Sequence, residues 1–294
     1  MSLDALIQAI IDGVLTGGVY ALMAAGLTLI FGVMEIINIA QGAMVITGAF
    51  LSYWLESRFG IDPFLGLLIT MPVMFVLGAI FEWGFLRRLG ERDRTSMSIL
   101  VSYAFAIILE GLLTVGFGTD YQALSASYID SSVHVLNFYV PDIYLLGFAL
   151  AVALMGAIYV VLYRTKFGRG LRAALQNRTA ADLVGVNVNR TRMIAVGIGV
   201  AVTAGGGMVY GATTAFNPDS GYDLISRLLA IVIFGGLGSI AGAMASAVIL
   251  LILADVVAVA WEPTWSILVF YAVIVLVLLF RPQGLLGERA VRSQ

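Results

Sequence analysis

Long apolar stretches constrain this chain more than any other feature. A helix that crosses the hydrocarbon of a bilayer needs about 20 predominantly apolar residues. Spans are expected near 5–31, 42–56, 64–86, 97–118, 143–163, 192–215 and 265–280. A longer apolar region, 225–254, is interrupted by Gly235, Gly236, Gly238 and Gly242. Its length and glycines predict two short segments that meet at a turn and enter and leave on one side. Of the 294 residues, 61% are hydrophobic and 12% charged, against about 25% charged in a soluble domain. No soluble core of this size hides so much apolar surface. The expected fold is all-α: one transmembrane domain over 1–294 with eight or nine transmembrane or re-entrant helices.

Basic residues set the expected orientation, because Lys and Arg near membrane ends stay in the cytoplasm. Arg87, Arg88, Arg92 and Arg94 follow one span; Arg164, Lys166, Arg169, Arg172, Arg178, Arg190 and Arg192 lie in or beside the loop 164–191; Arg281, Arg289 and Arg292 form the tail. The opposite connections carry Glu56, Asp62, Asp120, Asp130, Asp142, Asp219, Asp223, Asp255 and Glu262. The N-terminus is therefore expected outside and the C-terminus in the cytoplasm. Tyr53, Trp54, Tyr121, Tyr128, Tyr139, Tyr144, Trp261 and Trp265 cluster at the predicted outer interface, as aromatic belts do. The polar stretch 119–141, with the lone His134, is the longest external loop and is expected to cap the outer mouth.

The net charge of −2 argues against a nucleic-acid partner. With no cysteine there is neither a disulfide framework nor a thiolate metal site. One histidine and no cysteine leave little for general-base or nucleophilic chemistry, so no catalytic residue and no metal site are assigned. Met1–Gln8 has no basic region of the signal-peptide kind, so the first apolar stretch is expected to remain in the membrane.

The chain echoes itself. Ile30-Phe31-Gly32, Gly42-Ala43-Met44, Pro63 and Arg87 recur in order as Ile233-Phe234-Gly235, Gly242-Ala243-Met244, Pro263 and Arg281. Many transporters are built from duplicated halves with interrupted helices along the substrate path. The connection 32–42 is polar for a link between spans. Its Glu35, Asn38 and Gln41 belong either to a cavity-facing segment or to a short cytoplasmic turn. Thr28 precedes it, and Gly205, Gly206 and Gly236 lie in the facing region 203–240; together these seven residues are the candidate pathway. The Gly205-Gly206-Gly207 run reads either as close helix packing or as a hinge. Asp12, Glu82 and Glu110 sit in apolar stretches. Asp12 and Glu110 would be the relay of an ion-coupled secondary carrier, or else make helix–helix hydrogen bonds; Glu82 is placed to reach Arg87 or Arg88.

The chain lacks a Gly-x-x-x-x-Gly-Lys-Ser/Thr phosphate loop, and Lys166 is its only lysine. ATP-driven transport would thus need a separate subunit holding ATP and Mg. The loop 164–191 is suited to docking one. Gly170–Asn177 and Thr179–Val184 are expected as short helices, with Thr179 as N-cap, Asp182 three residues later, and Gly185 as the stop. Arg178, Thr179, Ala180, Ala181, Asp182, Leu183, Val184 and Gly185 are the candidate coupling residues.

Four stretches carry a family resemblance: GGVYALMAAGLTLIFGVMEIINIAQGAM (17–44), FGRGLRAALQNRTAADLVGVNVNR (167–190), IVIFGGLGSIAGAM (231–244) and LLFRPQGLLGER (278–289). The chain resembles the LivH-type permeases of branched-chain amino acid ABC importers. The resemblance implies a multi-pass bacterial inner-membrane subunit. Its partners would be a second, related permease, two ATP-binding subunits and an external solute-binding protein. It also implies that the coupling helix lies in 167–190. The sequence departs from the family's usual pattern at Glu35 and Gln41, where relatives carry a basic or small residue and a histidine. Related systems carry urea, short amides and other amino acids as well as leucine, isoleucine and valine.

Overall fold

The computed structural model describes residues 3–90, 94–129, 131–135 and 138–287. Arg92, Asp130, Arg289 and Arg292 lie outside the described residues.

The chain forms eleven α-helices among the described residues. In order they are α1 (Leu3–Met34), α2 (Gln41–Phe59), α3 (Pro63–Gly84), α4 (Arg94–Phe117), α5 (Asp142–Arg164), α6 (Lys166–Gln176), α7 (Arg178–Leu183), α8 (Val188–Thr213), α9 (Gly221–Gly235), α10 (Ile240–Ala260) and α11 (Pro263–Phe280). Seven of them, α1, α3, α4, α5, α8, α10 and α11, are long and apolar enough to cross a membrane. The protein is an all-α polytopic membrane protein.

Helix boundaries follow local chemistry. Asp62 caps α3 by accepting from the backbone N–H groups of Phe64 (2.9 Å) and Leu65 (3.3 Å), and Pro63 takes the first helical position. Asn187 caps α8 by accepting from Arg190 N at 2.9 Å. Ser239 caps α10 by accepting from Gly242 N at 3.0 Å. Pro263 opens α11 as Pro63 opens α3, and α2 and α10 carry Gly42-Ala43-Met44 and Gly242-Ala243-Met244 in their first turns. The sequence echo is thus an echo of helix order: helix, break, helix, proline-started helix.

Helices α1 and α8 are the core of the bundle, with about four-fifths of their apolar windows buried, whereas α4, α5 and α11 are mostly exposed on their outer faces. Small residues allow the closest approaches, as expected where lipid supplies no hydrophobic drive between helices. Gly13 and Gly17 of α1 lie against the backbone of Ile252 and Val248 of α10, so these two helices run antiparallel in close contact.

At the end of the bundle opposite the arginine-rich loops, a two-stranded hairpin pairs Ser132–Val135 with Phe138–Pro141. Gln8 of α1 brackets Tyr139, donating to its carbonyl at 2.7 Å and accepting from its N–H at 3.1 Å. Tyr128 donates to Asp62 Oδ2 at 2.8 Å; burial, and then that hydrogen bond, push its phenol pKa upward. The 119–141 segment is therefore tied to α1 and to the start of α3. Trp54, Trp261 and Trp265 are exposed at this same end.

The region 225–254 requires a correction. Its break does fall at the glycines, over 236–239, but the second limb, α10, has 21 residues and is long enough to span. Only α9, with 15 residues, is short. The N-cap expected at Thr179 is also corrected. Asn177 caps α7, accepting from Ala180 N at 2.9 Å, and α7 starts one residue before Thr179. Asn in extended backbone outcompetes Thr here because its amide oxygen reaches the exposed N–H three residues on. Asn177→Ala should weaken α7 by about 1 kcal/mol, read as roughly fivefold faster amide exchange over 178–186. Thr179→Ala should leave that exchange unchanged.

Candidate functional site

Two helices begin inside the bundle rather than at its surface. The first is α2. After α1 ends at Met34, residues 35–40 run without helical structure, and Glu35 adopts a left-handed φ of 53°. This segment turns back inward. Asn38 and Gln41 are fully buried, and Gln41 donates to Thr203 Oγ1 at 2.5 Å. Thr203 lies near the middle of α8, so Gln41 starts α2 at mid-depth. Helix α1 passes the same level at Gly26, eight residues or about 12 Å before its end. A β-carbon at Gly26 would overlap Thr203 Oγ1 and crowd the Gly199 carbonyl, and only glycine admits the polar bridge there.

Asn38 Nδ2 donates to Gln41 Oε1 (2.9 Å), Gln41 to Thr203, and Thr203 to the Gly199 carbonyl (2.8 Å). This chain satisfies polar groups that lipid could not. Nearby, Thr28 Oγ1 and Asn38 Oδ1 are buried without a partner. Gln41→Leu keeps the volume but removes the acceptor of Asn38 Nδ2 and the donor to Thr203 Oγ1, whose hydroxyl keeps only its bond to the Gly199 carbonyl. It should destabilise the assembled protein by about 1–3 kcal/mol, read as a lower thermal midpoint in detergent.

The second internal start is α9. Beyond α8 the chain re-enters the bundle over 214–220, and Phe216 is fully buried there. Its backbone is paired by the 119–141 segment: Gln122 and Phe216 exchange hydrogen bonds of 2.8 and 2.9 Å, and Leu124 N donates to the Gly211 carbonyl at 3.0 Å. Asn217 and Ser220 then cap reciprocally, at 3.1 Å from Ser220 N to Asn217 Oδ1 and 3.0 Å from Asn217 N to Ser220 Oγ. The starts of α9 and α2 meet almost backbone to backbone, since a β-carbon on Gly42 would overlap the Gly221 carbonyl. A small cleft beside this junction is bounded by Ile39, Ala43, Ala106, Glu110 and Tyr222, and Tyr222 donates to Glu110 Oε2 at 2.5 Å. Asp223 and Ser226, on the next turn of α9, are exposed. Polar groups exposed at membrane depth face protein or water rather than lipid.

The expected pathway residues separate. Asn38 and Gln41 come together with Thr203, which sequence reading had not singled out; its signal was the Gly199-to-Thr203 spacing of four. Glu35 is exposed at the arginine-rich end, and Thr95 Oγ1 donates to its carbonyl at 3.4 Å. Gly205 lies against Leu154 of α5, and Gly206 against Met23 of α1. The next glycine, Gly207, is pressed on the Val45 carbonyl of α2. The glycine run is thus a three-sided packing surface. Gly236, with φ of 100°, faces residues 283–287, and Leu285 and Leu286 donate to the carbonyls of Phe234 (2.8 Å) and Gly235 (3.1 Å). Asp12 accepts from Gln8 at 2.9 Å near the start of α1. Glu82 is buried, while Arg87 and Arg88 are exposed.

The loop between α5 and α8 forms the second candidate surface. Gly185, with φ of 86°, ends α7 in a Schellman turn: Gly185 N donates to the Asp182 carbonyl and Val186 N to the Ala181 carbonyl, both at 3.0 Å. The expected stop at Gly185 is present. Ala181 is buried against the loop, which turns Leu183 and Val184 outward, 84% and 77% exposed. Thr179, Ala180 and Asp182 are exposed beside them, and Arg178 is partly so. Gly185→Val should cost about 1–2 kcal/mol, because a branched residue is strained at this φ; exchange over 181–186 should quicken about tenfold.

A many-helix membrane bundle whose interrupted helices meet at mid-depth, with a structured loop at one end, defines the transmembrane subunit of a permease. The chain belongs to the family described as the branched-chain amino acid transport system / permease component, whose model matches residues 9–278. It is similar to a probable branched-chain amino acid transport permease protein LivH of Methanocaldococcus jannaschii, at 30% identity over 81% of this chain and 76% of that one. It is also similar to the high-affinity branched-chain amino acid transport system permease proteins LivH of Escherichia coli K12, at 26% identity, and BraD of Pseudomonas aeruginosa, at 25%. Both alignments cover 98% of this chain and 97% of the relative.

Proposed function

We propose that this chain is the permease subunit of an ATP-driven importer for branched-chain or other amino acids and amide-like small solutes, in a bacterial inner membrane. It works with a second, related permease, two subunits that bind ATP and Mg, and an external solute-binding protein. The observation that carries the reading is the α7 turn, where a doubly capped six-residue helix holds two apolar side chains out to solvent on a basic loop. A short helix of this kind seats in a groove on a soluble domain and transmits its motion. In this reading α2 and α9 join the seven spanning-length helices as membrane segments, with the N-terminus outside and the arginine-rich connections, including residues 178–185, in the cytoplasm, as the bias of Arg and Lys toward that side supports.

In this reading ATP-driven closure of the partners moves α7 and, through α8, the layer that holds Thr203, Gln41 and Asn38. The junction of α2 and α9, with Thr28 above it and Glu110 and Tyr222 beside it, is the part of the pathway this chain supplies. Gly205 and Gly206 transmit that motion as packing surfaces. Selectivity rests mainly on the delivering protein.

The test is to purify the chain with the products of neighbouring reading frames and measure ATP hydrolysis with leucine, isoleucine, valine, urea or acetamide and the binding protein present. Stimulation by one of these supports the reading. Uptake by the chain alone in liposomes, driven by a proton or sodium gradient, would replace it with an ion-coupled carrier.

A further inference from the structure

Helices α5 and α10 both pack on α1, and between their arginine-rich ends they leave a groove of about 450 Å³. Val152, Met155 and Tyr159 of α5 face Ile240 and Met244 of α10 across it. Gly156 leaves its wall open, since a β-carbon there would meet nothing within 4 Å. The groove is apolar along its length and changes character at its mouth. Tyr159 and Tyr163 pack against each other there, with ring centroids 4.7 Å apart and planes tilted by 33°. The Arg172 guanidinium lies 5.1 Å from the centroid of Tyr163 and donates to the Leu162 carbonyl. Leu162 and Tyr163 both line the groove, so this cation stands at its opening. Arg164, Lys166 and Arg169 are exposed close by in sequence, with Lys166, Arg169 and Arg172 at three-residue spacing along α6, and residues 164–176 contain no carboxylate.

An apolar slot between membrane helices, ending in a tyrosine pair and in guanidinium groups on a segment without carboxylates, matches one kind of molecule. We infer that this groove binds an anionic phospholipid, with an acyl chain between α5 and α10 and the phosphate at Arg172 and Arg169. Guanidinium is suited to the task because it presents five donors, only one of which Arg172 gives to Leu162, and pairs with phosphate in bidentate fashion. Basic pockets at the membrane ends of helices bind acidic head groups for the same reason. A zwitterionic lipid offers the same tails but brings its own cation to a site that already holds four. Helix α6 helps aim the site: Leu171 is buried, while Arg169 and Lys166, about one and two turns before Arg172 on α6, are exposed.

The consequence is a lipid seat on the wall of α5 that leads directly into α6 and α7. The inference depends on the chain being in a membrane and not on which solute it moves; label transfer and uptake are separate readouts.

The test uses the chain in its assembled complex, in nanodiscs of phosphatidylethanolamine doped with either a photoreactive-tail phosphatidylglycerol or the same tail on phosphatidylcholine. Phosphatidylglycerol should label peptides containing 152–163 and 240–244 at least about fivefold more than phosphatidylcholine. The double variant Arg169→Gln, Arg172→Gln should reduce its labelling to the phosphatidylcholine level. Gly156→Phe, which fills the groove, should suppress labelling by both lipids. Equal labelling by both lipids, labelling untouched by Gly156→Phe, or a cross-linker at position 159 that captures a second permease subunit instead of lipid would overturn the assignment.

Discussion

Replacing Leu183 and Val184 together with aspartate is expected to abolish solute-stimulated ATP hydrolysis while leaving the chain folded in the membrane. Both side chains are more than three-quarters exposed and touch little of their own subunit, so their loss costs the isolated chain almost nothing. Fully burying an aliphatic side chain contributes about 1.5–3 kcal/mol. Two of them in one partner groove bring about 3–6 kcal/mol, part of which is offset by the cost of ordering the interface. Two carboxylates in the same groove add a desolvation penalty. The ATP-binding subunits should therefore associate at least about 100-fold more weakly, read as their loss on size-exclusion chromatography and as uptake at background. Alanine at either position alone should give an intermediate loss. Uptake at the wild-type rate by the double aspartate variant would remove α7 from the coupling path.

Gly42→Val is the second large effect, and it acts at the other candidate surface. Its β-carbon would overlap the Gly221 carbonyl and lie 2.9 Å from the Ile225 β-carbon, so the starts of α2 and α9 must part. Neither neighbour yields cheaply, because one is backbone and the other a branched side chain on a buried helix face. Overpacking of this kind costs about 1–3 kcal/mol or more. The expected outcome is a lower thermal midpoint of the assembled complex and loss of uptake, with the ATPase subunits still bound. Gly111→Ala in α4 is the matched control. Its β-carbon meets nothing within 4 Å, and the change should stabilise α4 by about 0.5–1 kcal/mol without altering uptake. Normal uptake by Gly42→Val would show that the α2–α9 junction does not have to stay closed.

The two surfaces differ in how far they could be read in advance. The α7 turn was legible because its signals are local. Gly185 cannot be replaced cheaply at its φ, and the apolar pair Leu183-Val184 stands in a basic stretch. Even there the cap was misplaced by two residues, since Asn177 and Thr179 carry equivalent oxygens and only the path of the chain out of α6 decides which one meets a free N–H. The mid-depth site was half legible. Asn38 and Gln41 mark a polar segment that the sequence left open between a cavity face and a cytoplasmic turn, and their partner Thr203 is 162 positions from Gln41 in sequence. The start of α9 inside the bundle depends on Gln122 and Leu124, which reach in from a different loop to pair Phe216 and Gly211.

The division has one physical cause. Apolar length, arginine placement and the Gly and Pro stops act within a helix or its ends, and they were enough to establish a many-helix membrane protein, its breaks and its basic end. Helix neighbours are another matter. In lipid every apolar face is equally at home, so the sequence pattern does not rank the pairings. Close approach of small residues and buried hydrogen bonds does: Gly26 with Gly199, Gly42 with Gly221, Gln41 with Thr203. Those contacts exist only once the helices have assembled, and together with the pairing of Phe216 and Gly211 by Gln122 and Leu124 they set the starts of α2 and α9 inside the bundle.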